Sequence, residues 1–427
     1  MQPTVNPQNF RSALATTTML AVLTFALALT LAPQSASAQT YKVLYNFTGQ
    51  SDGASPQAGV TLDAAGNLYG TTYAGGSLAN CIYYGYVGCG TVFKLSHKGS
   101  GWVFAPLYKF VGQDGANPEA RVVFGPNGAL YGTTSSGGNQ QSGTVFELQP
   151  PANVCPTPSC PWSQTQLYSF AGGYSAGAPG GGDLIFDPQG NIWGTAVSGN
   201  GYLCDDGECG GVFELSRSGS GWNEQDFNPF EGISRNPYGG LVSDNAGHFY
   251  GTTSAGPGGL FSMTSSGSGG TFYLFSEQSS ALGGLLLVGN DLFGTTSQGG
   301  THEGGTVFEY SLAGASLTTL YNFAGPYQDG AGPTATLLMD ASGNLYGTTQ
   351  IDGADLHGSV FKLSQSNGVW TWTTLYNFTG GADGGFPFGQ LTMDASGNIY
   401  GTTQTGGNSV GNCYENLGCG VVFEITP

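Results

Sequence analysis

The chain has 427 residues, with nine Lys and Arg against 27 Asp and Glu, and a formal net charge of −18. Phosphate recognition relies on clustered basic side chains, so this acidic balance argues against a nucleic acid as partner. Charged residues make up only 8% of the chain, whereas 75 residues are Gly and aromatic residues reach 12%. That composition excludes a disordered chain and is typical of short strands joined by tight turns.

The first 38 residues differ from everything that follows. Arg11 precedes an apolar run over 20–31, and Ala36-Ser37-Ala38 supplies the small residues of a cleavage site. This pattern predicts a signal peptide over 1–38 and a single domain over 39–427. An uncleaved anchor is the alternative, although the apolar run is shorter than the ~20 residues of a spanning helix. Because no second run occurs, we expect a mature chain without a membrane span, either secreted or held in the periplasm or at the cell surface.

One motif, Gly-Asn-Leu-Tyr-Gly-Thr-Thr at 66–72, occurs seven times with variations. Its central glycine recurs every 43 to 62 residues, close to the length of a four-stranded propeller blade. These glycines are Gly70, Gly132, Gly194, Gly251, Gly294, Gly347 and Gly401. Each copy has four strand candidates, which in the sixth copy are residues 336–339, 345–349, 359–363 and 372–378. The copies therefore predict seven blades.

An Asp-x-x-Gly-Asn segment between the first two strands of a copy predicts a hairpin, in which Asp caps the turn and Gly takes the left-handed position. The fifth copy shortens this segment to 289–291, and the second replaces the Asp with Gly125. One aromatic residue recurs on the second strand and another on the third. We expect these rings to pack blade against blade, with ligand stacking as the alternative.

The two chain ends complement each other. Residues 41–47 match the fourth strand of a copy, and residues 421–425 match the third. Their pairing would close the ring and remove exposed sheet edges. The predicted fold is all-β, a seven-bladed β-propeller with four-stranded blades, closed by pairing of the N-terminal strand with the C-terminal blade. We expect a monomer.

The recurring segments Leu-Tyr-Asn-Phe, Asp-Gly, Asp-x-x-Gly-Asn-Leu-Tyr-Gly-Thr-Thr and Gly-Thr-Val-Phe-Lys-Leu resemble the GloVer tandem repeats of exported bacterial proteins. The similarity covers residues 41–427 and is eroded in the fourth and fifth copies. The resemblance implies export and a tandem architecture, and it transfers no activity.

The eight cysteines form four local pairs. In an exported protein this predicts four short-range disulfides. Zinc binding is the alternative, but zinc ligand sets usually have closer spacing and a second pair, and the four histidines do not accompany the cysteines. The predicted pairs are Cys81 with Cys89, Cys155 with Cys160, Cys204 with Cys209, and Cys413 with Cys419.

One propeller face, called here the loop face, holds the connections from strand two to strand three and from strand four to the next blade. An acidic residue followed by Gly recurs in the second kind of connection. These residues form a candidate ligand or cation rim at the channel mouth, suited to Ca²⁺ or to a polyhydroxylated ligand. The candidates are Asp52, Asp114, Glu231, Asp329 and Asp383. The alternative is that Asp-Gly simply makes a turn.

No catalytic residue or bound metal is predicted, and Ca²⁺ is the only cofactor considered. His302 and His357 are the histidines worth testing as catalytic or metal-binding groups, because both fall in loop-face connections. We expect an extracellular, non-catalytic binding or surface-interaction module for a glycan or a protein. The alternatives are a carbohydrate-active hydrolase or lyase that uses carboxylates at the channel mouth, and a structural envelope component.

Overall fold

Each repeat folds into one antiparallel sheet of four strands, and the described chain contains seven such sheets. The computed structural model describes residues 39–426 except 78–80, 84–85, 100, 152–161, 173–176, 200–208, 231–234, 245, 277–278, 326–327, 352, 409–412 and 414–416. Residues Tyr41–Thr426 form one compact unit. Within the described ranges no helix is long and apolar enough to cross a membrane. The all-β, seven-bladed propeller is confirmed.

The first half of the chain gives the N-terminal strand and blades 1 to 3. The chain begins with β1 (Thr40–Asn46). Blade 1 contains β2 (Thr61–Leu62), β3 (Leu68–Thr72), a small inserted hairpin of β4 (Ile82–Tyr83) and β5 (Tyr86–Val87), then β6 (Thr91–Lys98) and β7 (Gly101–Lys109). Blade 2 contains β8 (Val123–Phe124), β9 (Leu130–Thr134), β10 (Thr144–Gln149) and β11 (Ser163–Ser169). Blade 3 contains β12 (Ile185–Phe186), β13 (Ile192–Ala196), β14 (Gly211–Ser218) and β15 (Gly221–Phe227).

The second half gives blades 4 to 7. Blade 4 contains β16 (Val242–Ser243), β17 (His248–Thr253), β18 (Gly259–Thr264) and β19 (Gly269–Leu274). Blade 5 contains β20 (Leu286–Val288), β21 (Asp291–Thr296), β22 (Thr306–Ser311) and β23 (Ser316–Asn322). Blade 6 contains β24 (Leu338–Met339), β25 (Leu345–Thr349), β26 (Ser359–Ser366) and β27 (Val369–Asn377). Blade 7 contains β28 (Thr392–Met393), β29 (Ile399–Thr403) and β30 (Val421–Thr426), completed by β1.

The glycine of the recurring motif is a packing requirement inside each blade. Gly347 of β25 lies opposite Phe361 of β26, and a Cβ at Gly347 would lie 2.6 Å from the Phe361 ring. The same second-strand Gly lies under a third-strand Phe ring in all seven blades. Only a residue without a side chain leaves room for the ring, so the motif is fixed by the core of the blade.

The Asp of the hairpin turn organises its own blade as predicted. The Asp63 carboxylate accepts hydrogen bonds from the backbone N–H groups of Ala65 and Asn67, at 2.9 and 2.8 Å, and from the Tyr69 hydroxyl at 3.1 Å. Asp244, Asp340 and Asp394 repeat the arrangement, and Asp187 does so with the indole N–H of Trp193 in place of the Tyr hydroxyl. In blade 2, where Gly125 stands in place of Asp, the Tyr131 hydroxyl donates instead to Glu147, at 2.8 Å.

Two features of the strands differ from the sequence expectation. The first strand of blade 6 is only two residues long, because residues 334–336 run along the central channel without strand pairing. The third and fourth strands extend further than expected and meet at a two-residue turn. That turn is Asn367-Gly368, with φ of 52° and 80°, the conformation of the tight hairpins that Asn-Gly favours.

The blades hold together through a repeated pair of Phe rings. The Phe that follows the fourth strand of one blade meets the third-strand Phe of the next blade edge-on or tilted, with ring centroids 4.9 to 5.3 Å apart. The pairs are Phe47/Phe93, Phe110/Phe146, Phe170/Phe213, Phe230/Phe261, Phe275/Phe308, Phe323/Phe361 and Phe378/Phe423. The interpretation of the recurring third-strand aromatics as blade packing is confirmed.

The ring closes where the chain ends meet. Strand β1 lies beside β30 in the sheet of blade 7, and the N–H of Phe47 donates to the carbonyl of Gly420 at 3.1 Å. Phe47 then packs on Phe93 of blade 1. Thr402 of blade 7 donates to the carbonyl of Ala58, which precedes the first strand of blade 1, at 2.6 Å. The predicted seam between blades 7 and 1 is confirmed.

Two of the predicted disulfides join described residues, Cys81–Cys89 and Cys413–Cys419. Cys209 is also disulfide-bonded, while its predicted partner Cys204 lies outside the described residues. The pair Cys155 and Cys160 likewise falls outside them. Each observed bridge closes a short ring within one loop-face connection, so it holds that connection rather than the whole propeller.

We predict that Phe47→Ala destabilises the protein as much as Phe323→Ala does. Both rings are fully buried at equivalent interfaces, one at the seam and one inside the chain. A buried Phe→Ala change costs about 3 to 5 kcal/mol, measurable as the free energy of unfolding in urea. A loss at Phe47 of less than about 1 kcal/mol, beside a full loss at Phe323, would contradict closure.

Candidate functional site

The channel at the centre of the ring is lined by seven short segments, one from each blade, that lie just before or at the first strand. Two positions of each segment, two residues apart, line the channel. The first position, nearer the connection from the fourth strand, gives the upper ring: Gln57, Glu119, Gly181, Tyr238, Leu282, Thr334 and Phe388. The second gives the lower ring: Gly59, Arg121, Asp183, Gly240, Gly284, Thr336 and Gln390. They enclose a cavity of about 390 Å³.

Small residues set the width of this channel. The residue between the two rings is Ala or Gly in every blade. A Cβ at Gly59 would lie 1.8 Å from the carbonyl oxygen of Gln390, and one at Gly182 would lie 2.5 Å from the backbone of Gly240. Backbones of neighbouring segments therefore touch, which larger side chains would prevent. At five interfaces the carbonyl of this middle residue accepts a hydrogen bond from a second-strand Thr of the preceding blade.

An ion pair crosses the wall from blade 2 to blade 3. Both Nε and Nη2 of Arg121 donate to Oδ2 of Asp183, the former at 2.8 Å, and the backbone N–H of Arg121 donates to Oδ1 at 3.1 Å. The guanidinium also donates through Nη1 to the Thr392 hydroxyl of blade 7, at 3.3 Å. Both carboxylate oxygens of Asp183 are therefore occupied, and the two full charges neutralise each other.

A second polar pair joins blade 2 to blade 4. The Tyr238 hydroxyl donates to Oε2 of Glu119 at 3.0 Å, and the Tyr238 ring meets the edge of Phe388 from blade 7, with centroids 6.1 Å apart. Burial raises the pKa of the Glu119 carboxyl, and hydrogen bonds from Ser135 and Tyr238 only partly oppose that shift. Burial, followed by the nearby Glu119 charge, raises the pKa of Tyr238 as well. Both groups therefore favour their neutral forms.

The rest of the cavity wall is uncharged. Blades 5 to 7 contribute Leu282, Thr334, Thr336, Phe388 and Gln390, together with glycines. Below the lower ring, the side chains of the first strands form an apolar floor: Val123, Ile185, Val242 and Leu286. The site thus has a polar wall on blades 2 to 4, a neutral wall opposite, and an apolar floor.

The model of the Gloeobacter/Verrucomicrobia repeat matches residues 30–201, 82–283 and 254–427. The chain belongs to this family. The GloVer resemblance read from the motifs is confirmed by this match. Among curated proteins no match was found.

Solved structures resemble this member of the family only distantly. A nidogen/laminin complex gives 13% identity over 61% of this chain and 82% of that chain, with a TM-score of 0.39. Luciferin-regenerating enzyme gives 11% over 91% and 96%, with a TM-score of 0.42. A candidate 6-phosphogluconolactonase from Bacteroides uniformis gives 14% over 74% and 83%, with a TM-score of 0.44. At these values the likeness carries no argument about activity.

The acidic residues predicted as a rim bind groups of their own connections. The Asp52 carboxylate accepts from the Tyr45 hydroxyl at 3.0 Å and from the N–H of Thr48 at 2.9 Å. Asp383 accepts from the Tyr376 hydroxyl at 3.0 Å and from the N–H of Thr379 at 2.9 Å. The other two described carboxylates do the same, with Tyr108 and Val111 around Asp114 and with Tyr321 and Ala324 around Asp329.

These contacts are those of a turn, and none of the four carboxylates lines the central cavity. Glu231 lies outside the described residues. The acidic rim and its Ca²⁺ therefore stay predictions. His357 stands on the loop face, where its Nδ1 lies 2.6 Å from the carbonyl oxygen of Asp355, and neither it nor His302 lines the cavity. No group of three or more His, Cys, Asp and Glu within the described ranges is placed to hold a metal ion.

The raised pKa of Glu119 has a consequence for stability. Between its usual pKa of about 4.3 and its raised folded value, the unfolded chain loses the proton while the folded chain keeps it, so this group makes stability fall as pH rises. We predict that Glu119→Gln is more stable than wild type at pH 7, with the difference disappearing below about pH 4. Thermal unfolding across that pH range measures it.

Asp394→Asn is the matched contrast. Burial pushes the pKa of Asp394 upward, but hydrogen bonds from Asn398, Ser396 and Tyr400 outweigh it and lower the pKa overall. The stability from this carboxylate is present above its usual pKa and is lost on acidification, so the variant should be less stable at pH 7 and approach wild type in acid. Parallel pH profiles for the two variants would contradict the assignment of Glu119.

Proposed function

We propose that this member of the Gloeobacter/Verrucomicrobia repeat family is an exported, non-catalytic binding module that takes part of its ligand into the central channel. The observation that supports this is the cavity of about 390 Å³, to which all seven blades contribute. Pockets of this size, with a few placed polar groups among apolar ones, are typical of small-molecule or chain-end recognition. The loop face beside the upper ring would contact the rest of a larger ligand, such as a glycan.

The arrangement of the ionisable groups favours binding over turnover. A catalytic carboxylate needs a free oxygen or an exchangeable proton that points at the substrate. Both oxygens of Asp183 accept hydrogen bonds from Arg121, so Asp183 has no free oxygen for a substrate. Among the described residues this leaves Glu119, whose Oε2 accepts from Tyr238, as the one carboxyl in the cavity wall outside an ion pair. These pairs are preorganised for recognition, because their polar atoms hold one another in fixed positions.

Export rests on the signal pattern of residues 1–38 and on the disulfides. Disulfides persist in oxidising compartments outside the cytoplasm, and the described chain has two complete ones. A mature N-terminus at Gln39 is the result expected from mass spectrometry of the exported protein. A cell-bound chain that keeps residues 1–38 would indicate an anchor instead.

A carbohydrate-active hydrolase or lyase is the second candidate, and one observation favours it. Burial raises the pKa of Glu119, so this carboxyl keeps its proton to a higher pH than an exposed one does, and a raised pKa is a property of the general acid in glycoside cleavage. The enzyme hypothesis requires that purified protein shorten oligosaccharides and that Glu119→Gln abolish this, whereas the binding hypothesis predicts intact oligosaccharides with either protein.

The test of the binding site compares Leu282→Trp with Val369→Trp on a glycan array. Leu282 is in the upper ring, so the larger ring should obstruct the cavity, whereas Val369 is 64% exposed on an outer strand. We predict at least a tenfold loss of glycan retention for Leu282→Trp, wild-type retention for Val369→Trp, and equal melting temperatures. Unchanged retention by Leu282→Trp would place binding outside the channel. No retention even by wild type would favour a structural envelope role.

A further inference from the structure

We infer that the ligand of the channel is an electrically neutral, polyhydroxylated molecule, namely an uncharged sugar residue at the end or side of a glycan. The inference rests on the proposed function and names the class of molecule that the cavity recognises. It follows from the juxtaposition, within one cavity, of a self-neutralised ion pair, a buried hydroxyl without a partner, and aromatic and apolar surface.

Charge balance in the cavity excludes an ionic ligand. Three acidic or basic side chains of the described residues line it, Glu119, Arg121 and Asp183, and burial raises the pKa of Glu119 and so favours its uncharged form. Arg121 and Asp183 are paired, with only 18% and 22% of their side chains exposed. A ligand carboxylate or ammonium would lose its hydration and find no free counter-charge, a cost of several kcal/mol. A neutral ligand avoids that cost.

One hydroxyl in the wall lacks the hydrogen bond that burial requires. Thr334 of the upper ring lines the cavity and is 5% exposed, and its Oγ1 has no hydrogen-bond partner among the described residues. Buried polar groups are paired in most proteins, since an unpaired one costs about 1 to 3 kcal/mol. Oγ1 itself is shielded from solvent, so a ligand hydroxyl would reach it after rotation about the Cα–Cβ bond of Thr334, and the new hydrogen bond would remove that cost.

The other polar groups that line the cavity are of the kind that binds hydroxyls. Gln57 and Gln390 offer amide donors and acceptors, and Thr336 offers a second hydroxyl. The Glu119 carboxyl and the Tyr238 hydroxyl line the same cavity, with 3.0 Å between Oε2 and the hydroxyl oxygen. In its protonated form, which burial favours, the Glu119 carboxyl has both a donor and acceptors, so it matches an alcohol better than it matches an ion.

Apolar surface in the same cavity matches the remaining part of a sugar. Tyr238 and Phe388 provide aromatic surface at the upper ring, and Val123 and Ile185 belong to the apolar floor. A sugar ring presents hydroxyls at its edge and C–H groups on its faces, so it can satisfy both kinds of wall at once. A purely apolar ligand would instead leave Thr334 and the amides unpaired.

The test is calorimetric titration of the full exported chain with neutral oligosaccharides of several configurations and with uronic acid oligosaccharides of the same length. We expect at least one neutral oligosaccharide to bind, and its uronic counterpart to bind at least tenfold more weakly. Tighter binding of the uronic series, or no binding of any neutral oligosaccharide, would overturn the inference.

Two conservative variants test the role of the unpartnered hydroxyl. Thr334→Val removes Oγ1 without changing the shape of the side chain, and we expect the neutral oligosaccharide to bind roughly 3- to 10-fold more weakly. Thr348→Val is the control, because Thr348 is 1% exposed, its Oγ1 also lacks a partner among the described residues, and it does not line the cavity. Equal effects of the two variants would contradict the assignment.

Different results would contradict the channel as the binding site and the neutral sugar as its ligand. If Leu282→Trp blocks binding of a charged ligand, the channel is the site and the ligand class is wrong. If a neutral oligosaccharide binds wild type and Leu282→Trp equally, the channel site itself is wrong, and the inference fails with it.

Discussion

The propeller depends on the contact between the Phe that ends one blade and the Phe on the third strand of the next. A single four-stranded sheet leaves both of its faces exposed, so no blade is stable by itself. Each blade must therefore pack against two neighbouring blades, one on either face. The ring reaches this state only because β1 crosses the seam, pairing with β30 and packing Phe47 on blade 1. Closure of the ring therefore requires both that the two chain ends pair and that all seven interfaces between blades form.

Residues that repeat serve that constraint, and residues that break the repeat lie along the central cavity. The second-strand glycines and the Phe pairs recur in all seven blades, and the hairpin carboxylates recur in five, because they fix the blades and their interfaces. The small residues between the channel rings recur for the same reason, since neighbouring backbones touch there. Glu119, Arg121, Asp183 and Tyr238 occupy repeated positions with side chains found in no other copy. Their placement on blades 2 to 4 gives a symmetric ring an asymmetric cavity.

Most of the fold could be predicted from the sequence because its signals are periodic. The blade number, the hairpins, the seam and the described disulfides follow from spacing and from turn chemistry. The two-residue inner strands could not be predicted, because a segment such as 334–339 is equally apolar whether it pairs in a sheet or lines a channel.

The proposed channel site could not be predicted from the sequence for a related reason. The Asp-Gly steps predict a rim because they recur, yet recurrence is also the mark of a fold requirement. The described carboxylates accept hydrogen bonds from Tyr hydroxyls and from the backbone of their own connections. The signal that indicates the cavity residues is a departure from the repeat. Arg121 and Asp183 occupy the same position in two copies of the repeat, and the other five copies have Gly, Thr or Gln there. Charged residues make up only 8% of the chain, so two of them at one repeat position are a distinct signal. This position can be assigned to the channel only when the register of the first strand of each blade is known.

Hydrogen–deuterium exchange of the exported protein, with and without a neutral oligosaccharide that it binds, tests the central claim most directly. Binding in the channel predicts slower exchange in segments that include residues 119–123, 181–185, 238–242 and 334–336, with the connections around Asp52, Asp114, Asp329 and Asp383 less affected. Protection confined to those connections, with the channel segments unchanged, would contradict the account.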